Sequence, residues 1–268
     1  MEKENKSNQK KGDYLINSVA KALSILDLFD FGKEEFSVSE IAKRLNLNRS
    51  SIYPILCTIQ KFGYLQKNEL TKKYRLGFKF IEKAEIVIAQ LEVAKIAEPY
   101  LYELSHLLGE STYLAMLDKM DVVYIVCKNP TSQSYPHLMV NSPTGTRAPA
   151  HCTALGKVLF AYLEEEKLEA LLKKAVLKRM TKNTITDPEL LKKHLAEVHQ
   201  QGFAVDNEEF VKGGVCVAAP VKNHNAEVIA AISIFAPKIR VSSIRLKELV
   251  EKIKDTASKI SRDLGADR

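Results

Sequence analysis

The chain has 268 residues, 46% of them hydrophobic, with 40 Lys and Arg against 33 Asp and Glu for a formal net charge of +7. This composition is far from that of a disordered chain, and the length suits one large domain or two ordinary ones. Apolar runs are short and broken by charges such as Glu82, Lys83 and Glu85, and the Lys-rich N-terminus lacks the apolar stretch of a signal peptide. No membrane span or secretion signal is therefore expected, and the expected location is cytoplasmic.

The positive charge is concentrated at one end. Residues 1 to 80 carry 15 Lys and Arg against 9 Asp and Glu, a net of +6, whereas residues 81 to 268 carry 25 against 24, a net of +1. That asymmetry predicts an anionic partner for the N-terminal part, nucleic acid above all. Residues 1–13 read as a disordered basic tail, with four lysines and two glutamates between Met1 and Lys11.

Three amphipathic segments follow within residues 14–77, each with apolar residues at i, i+3, i+4 and i+7: Ala22, Ile25, Leu26, Phe29; then Val38, Ile41, Ala42, Leu45; then Ile52, Ile55, Leu56, Ile59. Ser37-Val38-Ser39-Glu40 is a capping box that opens the second helix. Only Asn46, Leu47 and Asn48 separate it from the third, the short connection of a helix-turn-helix pair. Proline costs little in the first turn of a helix, so Pro54 predicts a late start with Ser50 or Ser51 as N-cap; a kinked helix from Asn48 is the alternative. Arg49, Ser50, Ser51 and Tyr53 then cluster at the end that a recognition helix inserts into the major groove. The third helix should stop at Gly63. Beyond it, Tyr64–Lys67 and Lys73–Leu76 read as a hairpin wing whose Lys67, Lys72, Lys73 and Arg75 are placed to meet phosphates.

Residues 78–94 read as a linking helix, with Phe80, Ile81, Ala84, Val87, Ile88 and Leu91 on one face. In residues 95–268 a helix from Pro99 to Leu108 should end at Gly109, with Pro99 near its start. Strands are predicted over 112–117, 122–127, 215–221 and 228–235, and helices over 154–163, 189–201 and 246–264. This is the pattern of an α+β chain with a mixed helix and sheet domain after the helical head.

The winged helix-turn-helix, together with "PAHCTALGKVLFAYL" (149–163), "GFAVDNEEFVKGGVCVAAPV" (202–221), "AAISIFAPKIR" (230–240) and "ASKISRDLG" (257–265), resembles the IclR family of bacterial transcription regulators from about Ser18 to the end. The resemblance implies a GAF-like effector-binding domain with a central antiparallel sheet flanked by helices. It also implies homodimers or homotetramers on palindromic operators in double-stranded DNA, and a small organic acid as effector. Positions matching Ala154, Leu155, Asp206, Cys216, Ser233 and Phe235 line the effector site in the family. The expected function is a ligand-responsive regulator, a repressor of a catabolic operon, with an activator as the alternative. Two departures stand out. Pro54 replaces an arginine common in the recognition helix, and Phe235 stands where some members have a small polar residue, which predicts a narrower, more apolar cavity.

The residues support the site by a separate argument. A helix beginning near Thr153 offers amides at Ala154, Leu155 and Gly156 to a carboxylate, and Asp206 can accept from a ligand hydroxyl. Other chemistries are poorly served. His151-Cys152 with Asp206 invites a cysteine-dependent hydrolase, but no nucleophile motif surrounds Cys152, and neighbours on an extended segment point to opposite faces. "TALGKV" lacks the first glycine and the Ser/Thr of a phosphate loop. Cys57, Cys127, Cys152 and Cys216 form no C-x-x-C pair, His194 and His199 lie five apart, and His137, His151 and His224 have no paired spacing. No metal, disulfide or cofactor is expected.

Overall fold

A computed structural model describes residues 15–130 and 143–266. The predicted basic tail and His137 lie outside the described residues. The chain divides into two compact units, residues 1–87 and 88–268.

In the first unit, α1 (Asn17–Leu26), α2 (Val38–Leu45) and α3 (Arg49–Lys61) precede an antiparallel hairpin of β1 (Leu65–Lys67) and β2 (Tyr74–Leu76). The three apolar stripes meet in one core, where Ile25, Ile41, Ile52 and Leu56 are fully buried beside Phe36, Leu65 and Tyr74. The capping box forms as predicted: the Ser37 hydroxyl accepts from the Glu40 amide at 3.3 Å, and the Glu40 carboxylate accepts from the Ser37 amide at 2.8 Å. Asn46 turns the chain out of α2 in the left-handed conformation, φ 53°, where its short polar side chain is tolerated. Phe36 and Tyr74 exchange backbone hydrogen bonds at 2.9 and 2.7 Å, which fasten the hairpin to the segment before α2.

The start of α3 differs from the favoured expectation. Asn48 is the N-cap residue, Ser51 donates its hydroxyl to the Asn48 carbonyl at 2.8 Å, and Pro54 is the sixth residue of the helix. Pro54 removes the amide that would pair with the Ser50 carbonyl, yet both residues are exposed, so water can solvate that carbonyl. Exposure, not position, makes the proline tolerable.

The helix α4 (Lys79–Ala89) contains the division between the units and buries no residue among those described. The second unit then runs α5 (Glu92–Leu108), β3 (Ser111–Asp118), β4 (Asp121–Lys128), β5 (Arg147–Pro149), a 3-10 turn (Ala150–Cys152), α6 (Ala154–Ala161), α7 (Glu165–Lys174), α8 (Pro188–Gln201), β6 (Ala204–Asn207), β7 (Gly214–Lys222), β8 (Val228–Pro237), a second 3-10 turn (Lys238–Arg240) and α9 (Ser243–Asp263). Here too a proline sits deeper than predicted: α5 starts at Glu92, so exposed Pro99 lies inside it, on the water side like Pro54.

The strands form one antiparallel six-stranded sheet, ordered β5-β4-β3-β8-β7-β6. Side chains alternate across it. Leu114, Val217, Ile232 and Ile234 face α5 and α9, while Tyr113, Ala115, Ala218, Ala231 and Phe235 face the core that holds α6 and α8. The second face sets alanines beside Tyr113, Tyr124 and Phe235, and the void described below lies on it.

Candidate functional site

Two sets of residues merit attention, one in each unit. In the first unit, Arg49, Ser50, Ser51 and Tyr53 are all exposed at the start of α3, with Ile52, Leu56 and Ile59 turned into the core. The N-terminal end of α3 is thus a polar surface carried on an apolar stripe. On the hairpin, Arg75 is exposed on β2, and Lys67 lies 5.8 Å over the ring of Tyr74. The turn between the strands is shaped by Asn68, whose side-chain oxygen accepts from the amides of Leu70 and Thr71 at 2.9 and 3.2 Å. This places Lys72 at φ 56° and leaves Lys73 partly exposed. Lys72 pairs with Glu69 at 3.0 Å on the open surface, where such a pair holds its partners weakly and can exchange for another anion. Lys43 and Arg44, also exposed, stand at the end of α2 and were not anticipated.

In the second unit, strand register brings distant residues into line. Asp206 on β6 is opposite Cys216 on β7, Cys216 is opposite Phe235 on β8, and Phe235 is opposite Ser111 on β3. The next row on the same face holds Ala218, Ser233 and Tyr113. Asp206, Cys216, Phe235, Ser233 and Tyr113 line a void of about 20 Å³, joined by Tyr124 from β4. Thr153, Ala154 and Leu155 close it at the N-terminal end of α6, and Phe210, Val211 and Gly214 close it between β6 and β7. Six of the seven effector residues expected from sequence therefore converge.

Gly156 does not join them. Its amide already donates to the Thr153 hydroxyl at 3.1 Å, and a Cβ there would lie 2.2 Å from the Cα of Ala150. The glycine is required because α6 packs against the preceding 3-10 turn; the predicted amide cradle is reduced to Ala154 and Leu155.

The polar groups beside the void are unequally balanced. Lys157, on α6 with no exposed surface, donates to Glu209 at 2.5 Å and to the Val205 carbonyl at 2.6 Å. Thr184 donates to the Glu209 carbonyl at 2.7 Å and Thr181 to that of Glu208 at 2.7 Å, which pins the loop after β6. Asp206 accepts from the amides of Glu209 and Phe210 at 2.6 and 3.4 Å, but burial outweighs them and pushes its carboxyl up to about 7. One buried ammonium thus faces two carboxylates, and it is engaged with the other one.

Cys152 is unsuited to nucleophilic attack. It is buried, its thiol is pushed up to about 12 by burial, and its sulfur lies 3.7 Å from the Pro149 carbonyl. His151 is held neutral by burial and directs Nε2 to the Lys178 carbonyl at 3.0 Å, which assigns the ring proton to Nε2. The segment expected to be extended is a 3-10 turn. No group of three or more His, Cys, Asp or Glu side chains that could hold a metal occurs among the described residues.

Sequence reasoning missed Tyr113, Tyr124, Phe210, Val211 and Gly214 and the ion pair of Lys157 with Glu209, and it placed Thr153 only at the start of a helix. The two tyrosines meet edge to face with ring centroids 5.4 Å apart. Thr153, as the residue before a helix, was the one legible from local pattern.

Comparison with known proteins bears on both sites. Residues 18–69 match the IclR helix-turn-helix domain, and residues 85–262 match the bacterial transcriptional regulator IclR C-terminal domain. The chain is 37% identical over 251 residues to the HTH-type transcriptional regulator XynR of Escherichia coli, covering 94% of this chain and 98% of that protein. It is 29% identical over 248 residues to the HTH-type transcriptional repressor AllR of Salmonella typhimurium, covering 92% and 90%. Among solved structures it is similar to an IclR homologue from Microbacterium hydrocarbonoxydans complexed with 4-hydroxybenzoate, with TM-score 0.80, 25% identity and coverage of 93% and 99%.

Proposed function

This chain belongs to the IclR family of bacterial transcriptional regulators, and from that premise we propose that it is a cytoplasmic, effector-responsive repressor. Its first unit reads a palindromic operator as part of a homodimer or homotetramer. α3 enters the major groove with Arg49, Ser50, Ser51 and Tyr53 towards base edges and phosphates, and Lys67, Lys72, Lys73 and Arg75 of the hairpin meet the backbone. Half-sites one or more helical turns apart follow from the two-fold symmetry of such an assembly.

The second unit takes a small carboxylic acid. Ala154 and Leu155 present the positive end of α6 to the carboxylate, while Asp206 and Ser233 hydrogen-bond a neighbouring hydroxyl or carbonyl. The observation that carries this reading is the convergence of six residues from three strands and one helix on one void, beside a buried carboxyl that forms no ion pair among the described residues. The complex of the Microbacterium homologue with 4-hydroxybenzoate supports the same chemistry. Effector binding alters operator affinity through α4, the segment that joins the two units. Coupling of this kind is typically about 1 to 3 kcal/mol, a change of about 5- to 150-fold.

Gel shift with fragments of the source genome tests the reading. A regulator retains particular fragments, and retention falls steeply with salt; retention of every fragment alike, or of none, would sink it.

A further inference from the structure

Resting on the reading of the void as the effector site, we propose that Phe235, seated on Gly214, is its size-selecting residue and restricts it to compact acids of two to four carbons. The void of about 20 Å³ holds roughly one water, so a ligand enters only if a wall moves. Most walls are tied. α6 is locked against the 3-10 turn at Gly156, and the loop after β6 is held by Thr181, Thr184 and the Asp206 carboxylate. Tyr113 and Tyr124 brace each other edge to face.

Phe235 differs. Its backbone is fixed in β8, but its ring fills a gap that exists because Gly214 has no side chain: a Cβ on Gly214 would lie 2.6 Å from Cε2 and 3.3 Å from Cζ of that ring. Its cross-strand neighbours on either side, Cys216 and Ser111, are small. With its backbone fixed, the ring stays in the wall of the void when it rotates, so this least costly way of enlarging the void releases only part of the ring's own volume. A short acid fits; a six-carbon chain or a second aromatic ring does not. Truncating the ring leaves ring-sized space in an apolar pocket, the kind of cavity that accepts a benzene-sized guest. A methyl group at position 214 acts in the opposite sense, displacing the ring towards the void.

Thermal shift of the full chain with lactate, pyruvate, gluconate and benzoate tests the proposal. Unsubstituted protein should be stabilised by lactate or pyruvate and not by gluconate or benzoate. Phe235→Ala should gain stabilisation by gluconate or benzoate; Phe235→Leu should do so more weakly and serves if the alanine variant does not fold. Gly214→Ala should weaken the response to lactate and pyruvate at least tenfold in midpoint concentration, and Gly214→Ala with Phe235→Ala should restore it. Stabilisation of the unsubstituted protein by gluconate or benzoate as strongly as of Phe235→Ala overturns the size limit and leaves the effector site standing. Absence of any shift in all the variants, with fragment-selective DNA retention intact, overturns the site reading and the inference with it.

Discussion

Lys157 and Glu209 close an ion pair at 2.5 Å with the lysine fully buried. Removing one member of such a pair leaves an uncompensated charge in the interior, which costs about 3 to 5 kcal/mol. Lys157→Met should therefore destabilise the second unit by that amount in urea denaturation. Lys157→Met with Glu209→Gln should recover a large part of the loss, because the carboxylate no longer needs the ammonium. Equal loss in the single and double variants would show that the lysine stem, not its charge, holds α6 in place.

Asp206 gives stability a pH dependence of defined sign. Its carboxyl is raised from 3.8 to about 7 in the folded chain. Between those values the native state holds a proton that the unfolded state has lost, so the contribution of Asp206 to stability is most favourable below pH 4, declines as the pH rises towards 7, and is flat above it. The span corresponds to a change on the order of 4 kcal/mol. Asp206→Asn should remove this slope, measured as denaturation midpoint against pH. An unchanged slope would assign it to other groups.

On the proposed reading of the void as the effector site, the same carboxyl links effector affinity to protons. An acid bound beside Asp206 keeps that proton in place, since two carboxylates cannot both ionise cheaply in one small apolar space. Apparent affinity for lactate or pyruvate should be level below pH 7 and fall about tenfold per pH unit above it. Calorimetry in two buffers of different ionisation enthalpy reads the uptake directly at pH 8.

Gly156 should tolerate no side chain. A methyl group would approach the Ala150 backbone to 2.2 Å, and neither the helix nor the turn is free to yield. Gly156→Ala should cost about 1 to 3 kcal/mol or more. Thermal unfolding measures it; a midpoint within a degree of the unsubstituted protein would mean that the two segments are not packed so closely.

Much of the first unit was legible because its signals are local. The spacing of Ile41, Ile52 and Leu56 gives the helices, and Ser37 with Glu40 gives a cap within one turn of chain. Pro54 was misjudged because its cost depends on whether the Ser50 carbonyl reaches water, which is a property of the packed unit. The second unit was legible only where a strand's own alternation sufficed, as for Ser233 and Phe235. That Tyr113 shares their wall depends on β3 lying beside β8, a pairing between segments more than a hundred residues apart. Lys157 entered the sequence reading only within a rejected phosphate-loop pattern, which says nothing of the fold turning it inward to Glu209. Gly214 was invisible because its role is to make room for a ring from another strand.

The central claim is a division of labour between a basic head that grips duplex DNA and a nearly neutral body that senses an acid. The most direct measurement compares Arg49→Ala and Asp206→Ala with the unsubstituted chain, in gel shift on one retained fragment and in thermal shift with lactate and pyruvate. The account predicts that Arg49→Ala weakens DNA retention and lowers the salt slope by about 1 while the acid response is kept. It predicts the reverse for Asp206→Ala, with retention kept and the acid response lost. Loss of both activities in either variant, with the protein still folded, would contradict it.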